Sequence, residues 1–288
     1  IMGATGFTGK LIFEYLIKHY GAKNKKFTWA IAGINKKKLE KLKKSFNDID
    51  SHSKDIPIII VDSHNSKLLD NMTSICRLVI STVGPYLKFG QQLIKSCVEN
   101  GTHYCDLTGE VPFIRESIDL FDLKAKKNNC RIIHSCGFDS IPSDIGVLML
   151  QMDSLRRFTK PCDEVKLYVR SMRGGFSRGT FDSLINISEF MDSNPEHQNR
   201  LKNPYALNPD DSIKNNTLQS NLNTVKWDKN IQRWICPFIM AGINTRIVRR
   251  TNAITEHSYG YNFRYSESYS FRKGVKGFFK AIYMLIGL

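Results

Sequence analysis

Seven residues near the amino end, Gly3-Ala4-Thr5-Gly6-Phe7-Thr8-Gly9, place three glycines at the spacing G-x-x-G-x-x-G. They are entered from Ile1-Met2 and followed by Lys10-Leu11-Ile12-Phe13-Glu14-Tyr15-Leu16-Ile17, whose apolar positions recur at helical intervals. A strand end, a glycine turn and a helix start are the context in which backbone can hold a pyrophosphate. The first glycine allows the tight turn, the second lets the backbone approach, and the third lets helix and strand pack closely. The helix then offers unpaired N–H groups and a positive dipole end to the anion. The competing reading is a glycine-rich turn that holds nothing. Thr5, Phe7 and Thr8 are the further expected contacts within this turn, and Thr82-Val83-Gly84-Pro85 supplies a second stretch of bare backbone.

Side chains able to move protons follow later apolar runs. Tyr86, Tyr104, Asp106, His134 and Asp139 fall at the carboxyl ends of predicted strands or in the loops after them, the edge where open α/β sheets bind ligands. Tyr86, His134 and Asp139 are the candidate catalytic residues; Tyr86 can donate a proton, and His134 can do so through a water. Plainer roles stand beside these: stacking for Tyr86, capping for Asp106, a satisfied core position for His134. Arg170, Arg173 and Arg178 flank a second glycine-rich stretch before a predicted helix. Tyr104, Arg173 and Arg178 are the candidate substrate contacts, the arginines suiting a carboxylate or a phosphopantetheine, with solvated arginines as the alternative. No Ser-His-Asp nucleophile set, Walker loop or metal-ligand spacing is legible, and no metal is expected.

These residues require a scaffold that alternates strand and helix. After the first helix, strands are expected at 27–33, 57–62, 77–81, 102–106 and 130–134, with helices at 37–46, 67–72, 89–99 and 112–127 between them. Counting Ile1-Met2, six strands alternate with five helices as an open parallel sheet, a dinucleotide-binding domain over residues 1–140. The second strand ends at Ile34-Asn35-Lys36-Lys37-Lys38, with no carboxylate before Glu40. A carboxylate there bonds the ribose 2′-hydroxyl of NAD, whereas a basic residue accommodates the 2′-phosphate of NADP. NADP is favoured, NAD remaining open, with Asn35 and Lys36 as the expected contacts; the lysines equally suit the exposed first turn of the next helix. Asp62 either reaches the adenine region or caps the following helix. Ser140 and Asp144 suit a helix start at Pro142.

Of 288 residues, 41% are hydrophobic and 24% charged, the balance of a soluble globular chain long enough for two cores. A formal charge of +15 comes with lysine clusters at 23–26, 36–44 and 124–127. Such runs read as solvated faces, or as attraction to an anionic cofactor or lipid surface; no nucleic-acid motif accompanies them, so nucleic acid is not an expected partner. Seven scattered cysteines without C-x-x-C read as reduced thiols of a cytoplasm-facing protein. The missing start and the truncated first strand mark the chain as a piece of a longer protein.

Four motifs in order, Gly3-Ala4-Thr5-Gly6-Phe7-Thr8-Gly9, Val83-Gly84-Pro85-Tyr86, Gly101-Thr102-His103-Tyr104-Cys105-Asp106-Leu107-Thr108-Gly109-Glu110 and Cys136-Gly137-Phe138-Asp139-Ser140-Ile141-Pro142-Ser143-Asp144, closely resemble the saccharopine dehydrogenase-like oxidoreductases. That family includes the bacterial trans-acting enoyl reductases. The resemblance implies a Rossmann-like domain, a nicotinamide cofactor and a second α/β domain, here an incomplete α+β substrate or dimerisation domain over 141–288. It also implies a lipid-type or acyl substrate, as in the enoyl reductases, and for animal-type members a membrane or lipid-droplet surface. The chain departs from the family at Ile34, where an arginine is usual, so Lys36 or Lys37 must substitute for it. The family also continues past Leu288.

In the second half, residues 163–171 alternate like a half-exposed strand, and a helix is expected from about 181 to 191. Residues 192–222 read as a polar surface excursion. Residues 233–241, 244–251 and 259–269 resemble the family's substrate-domain segments and are expected to form an antiparallel sheet. The apolar residues 277–288 are too short to span a bilayer and suit a core helix, an interfacial anchor or the start of a membrane hairpin. The function expected is reduction of a lipid or other small-molecule acyl substrate by an NAD(P)H-dependent oxidoreductase, with a second copy of the chain as a partner. The alternatives are a saccharopine-type amino-acid oxidoreductase and a membrane-associated protein that holds NADP without turnover.

Overall fold

The structure, a computed structural model, describes residues 1–172, 178–209, 219 and 221–287. It divides into two compact units, Ile1–Cys136 with Arg178–Glu189, and Gly137–Ser177 with Phe190–Leu288.

The first unit alternates helix and strand as its sequence pattern demands: α1 (Phe7–Tyr20), β1 (Ile31–Gly33), α2 (Lys36–Lys44), β2 (Ile58–Ile60), α3 (Ser66–Ser74), β3 (Leu78–Ser81), α4 (Tyr86–Phe89), α5 (Gln91–Glu99), β4 (His103–Asp106), α6 (Val111–Lys127) and β5 (Ile132–Ile133). β1 pairs with β2, and β3, β4 and β5 pair in that order, all parallel. Met2 closes the gap, bridging Ala32 on one side and Ser81 on the other. Counting Met2 as a strand, the order is that of a doubly wound nucleotide-binding sheet, whose direction of winding reverses between Met2 and β3. Gly9, Phe13 and Ile17 line the buried face of α1, and Phe13 meets Trp29 and Phe46 edge-on at 5.4 and 5.2 Å. Burying a side chain of that size stabilises by roughly 1.5–3 kcal/mol. The helix expected from 89 starts earlier and is broken, α4 giving way to α5 at Gly90.

Two buried carboxylates hold the carboxyl edge of this sheet. Asp106 ends β4, and its Oδ2 accepts the Tyr104 hydroxyl at 2.9 Å and His134 Nδ1 at 2.7 Å. Its Oδ1 accepts the N–H groups of Thr108 at 3.0 Å and Ser135 at 3.1 Å. Strand end, following loop and neighbouring strand are thereby tied to one side chain. Glu110, four residues on and buried, accepts the first two amides of α4, Tyr86 at 2.9 Å and Leu87 at 2.8 Å, and the Ser183 hydroxyl at 2.6 Å. This caps the positive end of α4 with a charge from another element.

The second unit comprises α7 (Ile141–Phe158), β6 (Glu164–Val169), the end of α8 (Arg178–Ser193) from Phe190 on, α9 (Pro195–Lys202), β7 (Lys226–Asp228), β8 (Arg233–Pro237), α10 (Ala241–Ile254), β9 (Arg264–Phe271) and α11 (Val275–Ile286). Its sheet runs β6-β9-β8-β7, mixed rather than wholly antiparallel, because β6 pairs parallel with β9. Residues 244–251, expected as a strand, lie in α10. Burial there falls at Ala241, Asn244, Thr245, Val248, Arg249 and Asn252, a helical spacing that the polar identities hid. α11 lays Gly277 and Ala281 against the sheet, with the Phe278 ring tilted against Trp234 at 4.8 Å, and exposes Val275, Phe279, Tyr283 and Ile286. Among the described residues no helix is long and apolar enough to cross a membrane.

Asp106 lacks a like-shaped substitute, since asparagine turns an NH2 toward donors. Asp106→Asn is expected to lower the stability of the first unit by about 3–5 kcal/mol, against about 1 kcal/mol for Tyr104→Phe, in urea unfolding. A smaller loss for Asp106→Asn than for Tyr104→Phe would contradict this account. Asp144 is the opposite case. Its Oδ2 accepts the Thr251 hydroxyl at 3.0 Å, but its Oδ1 is buried without a partner, as is the nearby Tyr259 hydroxyl. Burial holds this carboxyl above its ordinary value of 3.8. The folded state thus keeps the proton longer than the unfolded chain does: the stability this contributes is full below the ordinary value and lost as pH rises through the folded one. The dipole of α7 favours the charge by about 0.3–1 kcal/mol, less than the roughly 1–3 kcal/mol for an orphaned buried acceptor. Asp144→Asn is therefore expected to stabilise by about 1 kcal/mol at neutral pH, an advantage that vanishes in acid when unfolding is compared across pH.

Candidate nucleotide-binding site

Three glycines make a cradle at the sheet's reversal point. Gly3 has φ +82°, and a Cβ on it would lie 2.7 Å from Thr82 Oγ1 and 2.8 Å from Val83 Cγ2. A Cβ on Gly9 would overlap the Gly3 carbonyl and stand 2.8 Å from Ala4 Cα. The turn can therefore close only on bare backbone. Gly6 is exposed, donates its N–H to Gly3 O at 2.9 Å, and is the N-cap of α1 without any side-chain cap. By contrast Asn35 caps α2 through Lys38 N at 3.0 Å, and Asn65 caps α3 through Leu68 N at 3.1 Å. An uncapped helix start behind a glycine turn leaves donors and a positive dipole end for an anion. Thr5 and Thr8 are half-buried beside it, and Phe7 is exposed. The residues present fit a pyrophosphate.

Thr82 locks this turn to β3: its N–H donates to Met2 O at 3.0 Å, and its Oγ1 lies 3.0 and 3.1 Å from the Met2 and Gly3 carbonyls. Val83 and Pro85 are half-buried and Gly84 exposed. At the end of β1, Ile34, Asn35, Lys36, Lys37 and Lys38 are all exposed, and the Asn35 side-chain oxygen Oδ1 serves as the cap of α2. Lys36 opens that helix with its charge in solvent. Asp62 is exposed and accepts the His64 N–H at 2.9 Å, while Asn65 performs the capping of α3.

The proton-handling candidates are mostly drawn inward. Tyr86 is 5% exposed, its hydroxyl donating to Ser81 O at 3.2 Å, and burial pushes its phenol well up. Tyr104 is buried against Asp106, and desolvation together with that carboxylate raises its phenol far above the ordinary range. His134 donates from Nδ1 to Asp106 and places Nε2 3.1 Å from Ser117 Oγ. Phe113 lies between the rings of Tyr86 and His134, 5.6 and 5.3 Å away. Asp139 belongs to the second unit and is exposed, its backbone carbonyl accepting Asn244 Nδ2 at 2.9 Å. Ser140 occupies the N-cap position of α7 yet bonds Asn244 Oδ1 at 2.8 Å instead of capping. Arg173 and the side chain of Arg178 lie outside the described residues.

Sequence reading missed two participants. Ser117, His134 and Asp106 stand in the hydrogen-bonded order of a hydrolytic triad, but Ser117 is 3% exposed within α6 and the set is a core network. No spacing could have revealed it, since its members come from α6 and two strand ends. Glu110 was legible only as part of a motif; its task as the cap of α4 required the fold.

Residues 1–133 match the family described as the saccharopine dehydrogenase NADP-binding domain. A trans-acting enoyl reductase of Mycobacterium bovis is 35% identical over 283 residues, 96% of this chain and 66% of its own length. One of Mycobacterium ulcerans is 33% identical over 278 residues, covering 94% and 64%. The chain thus spans just under two thirds of the length of the curated relatives it matches. Among solved structures, apo saccharopine dehydrogenase of Saccharomyces cerevisiae aligns at 18% identity and a TM-score of 0.45, over 58% of this chain and 33% of that one, too slight a likeness to bear weight. The glycine cradle, the sheet order and the match across nearly the whole chain place this protein among the saccharopine dehydrogenase-like proteins, with an NADP-binding domain in its first half.

Proposed function

We propose that the chain is the nucleotide-binding part of an NADP(H)-dependent oxidoreductase that reduces an acyl or lipid-type substrate, in the manner its relatives' name, enoyl reductase, describes. The single observation that carries the nucleotide reading is the uncapped start of α1 behind a turn whose Gly3 and Gly9 leave no room for a side chain. NADPH, when bound, supplies the hydride. The chain's own part is to hold the pyrophosphate on the amides after Gly6 and to keep carboxylates away from the end of β1. Lys36 and Lys37 offer charge to a 2′-phosphate in place of the missing arginine at position 34. The Glu110 and Asp106 bonds hold the loops 82–87 and 107–110 at the carboxyl edge, where the nicotinamide must lie. The substrate class rests on the relatives' name.

Gly6→Asp separates folding from binding. The backbone at Gly6 suits any residue (φ −72°), and its nearest obstacle is Gly3 O at 3.3 Å. An aspartate there caps α1, so the variant is expected to gain about 1 kcal/mol in stability while losing NADPH binding. Undiminished NADPH affinity in a fluorescence titration would refute the cradle as the nucleotide site. Lys36→Glu is expected to weaken NADPH about fivefold, from roughly 1 kcal/mol of exposed charge interaction, and to leave NADH unchanged. Equal effects on both nucleotides would remove Lys36 from the 2′-phosphate. For activity, the full-length protein is mixed with NADPH and enoyl thioesters of increasing chain length while cofactor absorbance is followed. Oxidation with enoyl thioesters is expected. Turnover only with amino-acid and keto-acid pairs, or binding without turnover, would overturn the acyl-substrate reading while sparing the nucleotide site.

A further inference from the structure

Cys105 and Cys136 are brought together by the same strand ends that carry Asp106 and His134. Cys105 is paired in register with Ile133 on the adjacent strand. Past Ile133 the chain reverses at Ser135, whose φ of 58° is left-handed and whose N–H and Oγ are fixed by Asp106 Oδ1 at 3.1 Å and Thr108 O at 2.7 Å. The reversal delivers the Cys136 N–H to Asp106 O at 2.7 Å. It turns the Cys136 sulfur back to within 3.6 Å of the Ile133 carbonyl, one strand spacing from Cys105. Cys136 is exposed and Cys105 half-buried, so an oxidant can reach the pair. By contrast Cys97, within α5, and Cys130, just before β5, are buried, and Cys130 donates to Thr102 O at 2.8 Å.

We propose that Cys105 and Cys136 form a redox-active dithiol, a modification site at which hydrogen peroxide converts the two thiols into an intramolecular disulfide. The proton that the Cys136 thiol offers its neighbour holds Cys105 below the ordinary thiol range and Cys136 above it, whereas burial raises Cys97 and Cys130. Cys105 is accordingly the attacking sulfur, since the thiolate is the nucleophile. It bonds to one peroxide oxygen as the O–O bond breaks, leaving a sulfenic acid and hydroxide, which takes up the proton lost by Cys105. The Cys136 sulfur then attacks the Cys105 sulfur, the S–O bond breaks, and the departing hydroxide leaves with the Cys136 proton as water. Two thiols lose two electrons and one peroxide becomes two waters. The disulfide closes a loop across β4 and β5 and spans the segment that Asp106 holds, without using any residue of the glycine cradle.

The test is peptide mapping of the native full-length protein after exposure to hydrogen peroxide and alkylation of the remaining thiols. A cross-linked peptide joining Cys105 to Cys136, lost on treatment with dithiothreitol, is expected, with Cys97 and Cys130 alkylated only after unfolding. In Cys136→Ser, dimedone should label Cys105 as a stable sulfenic acid. Full alkylation of both cysteines after peroxide, over-oxidation of Cys136 alone, or a bridge from either to Cys76 would each overturn the proposal. The wild-type map decides even if the variant fails to fold.

Discussion

A single buried carboxylate, that of Asp106, keeps the working edge of the first unit in register. Four donors from three places in the chain converge on it: a tyrosine of its own strand, an amide of the loop after it, and an imidazole and an amide at the end of the next strand. A charge taken from water is tolerable only when its lone pairs are satisfied, so each donor is as much required by the carboxylate as it is held by it. The loop anchored in this way delivers Glu110 to α4, and α4 fixes the turn after β3. That turn in its hand bonds the first glycine through Thr82. The rigidity of the glycine cradle is thus inherited from a carboxylate two strands away along the sheet.

The start of α1 forgoes the local stability of a side-chain cap. α2 and α3 carry asparagine caps, each contributing on the order of 1 kcal/mol, and α1 carries none. A cap on α1 would occupy the amides that an anion needs. The packing of Phe13 and Ile17 into the core of the first unit compensates, and lets the helix stand with a bare amino end.

The second unit is organised by other polar contacts. Asn244, buried in α10, joins the Asp139 carbonyl and Ser140 at the start of α7 to Glu267 in β9, and Glu267 also receives the Tyr265 hydroxyl at 2.6 Å. A fully partnered set of this kind specifies which face of each helix meets the sheet. Asp144, one turn into α7, is left out of it and carries an orphaned oxygen.

Much of this protein could be read from the order of its residues. The alternation of apolar runs with helical periods set the doubly wound class, and the glycine spacing marked the turn, because both are consequences of backbone geometry over a few residues. The absence of a carboxylate after the second strand, and with it the leaning toward NADP, is equally local. Reading failed where polar residues were buried: residues 244–251 are helical because Asn244, Thr245, Arg249 and Asn252 face inward, and periodicity in hydrophobicity cannot register that. It failed again for roles that join distant positions. That Tyr86 and Tyr104 lie inside, that Ser117 meets His134, that Glu110 caps α4 and that Cys136 returns to Cys105 were decided only by the folded chain. Hydrogen bonds and thiol contacts act over about 3–4 Å, and only the packing of strands and helices brings residues dozens of positions apart within that reach.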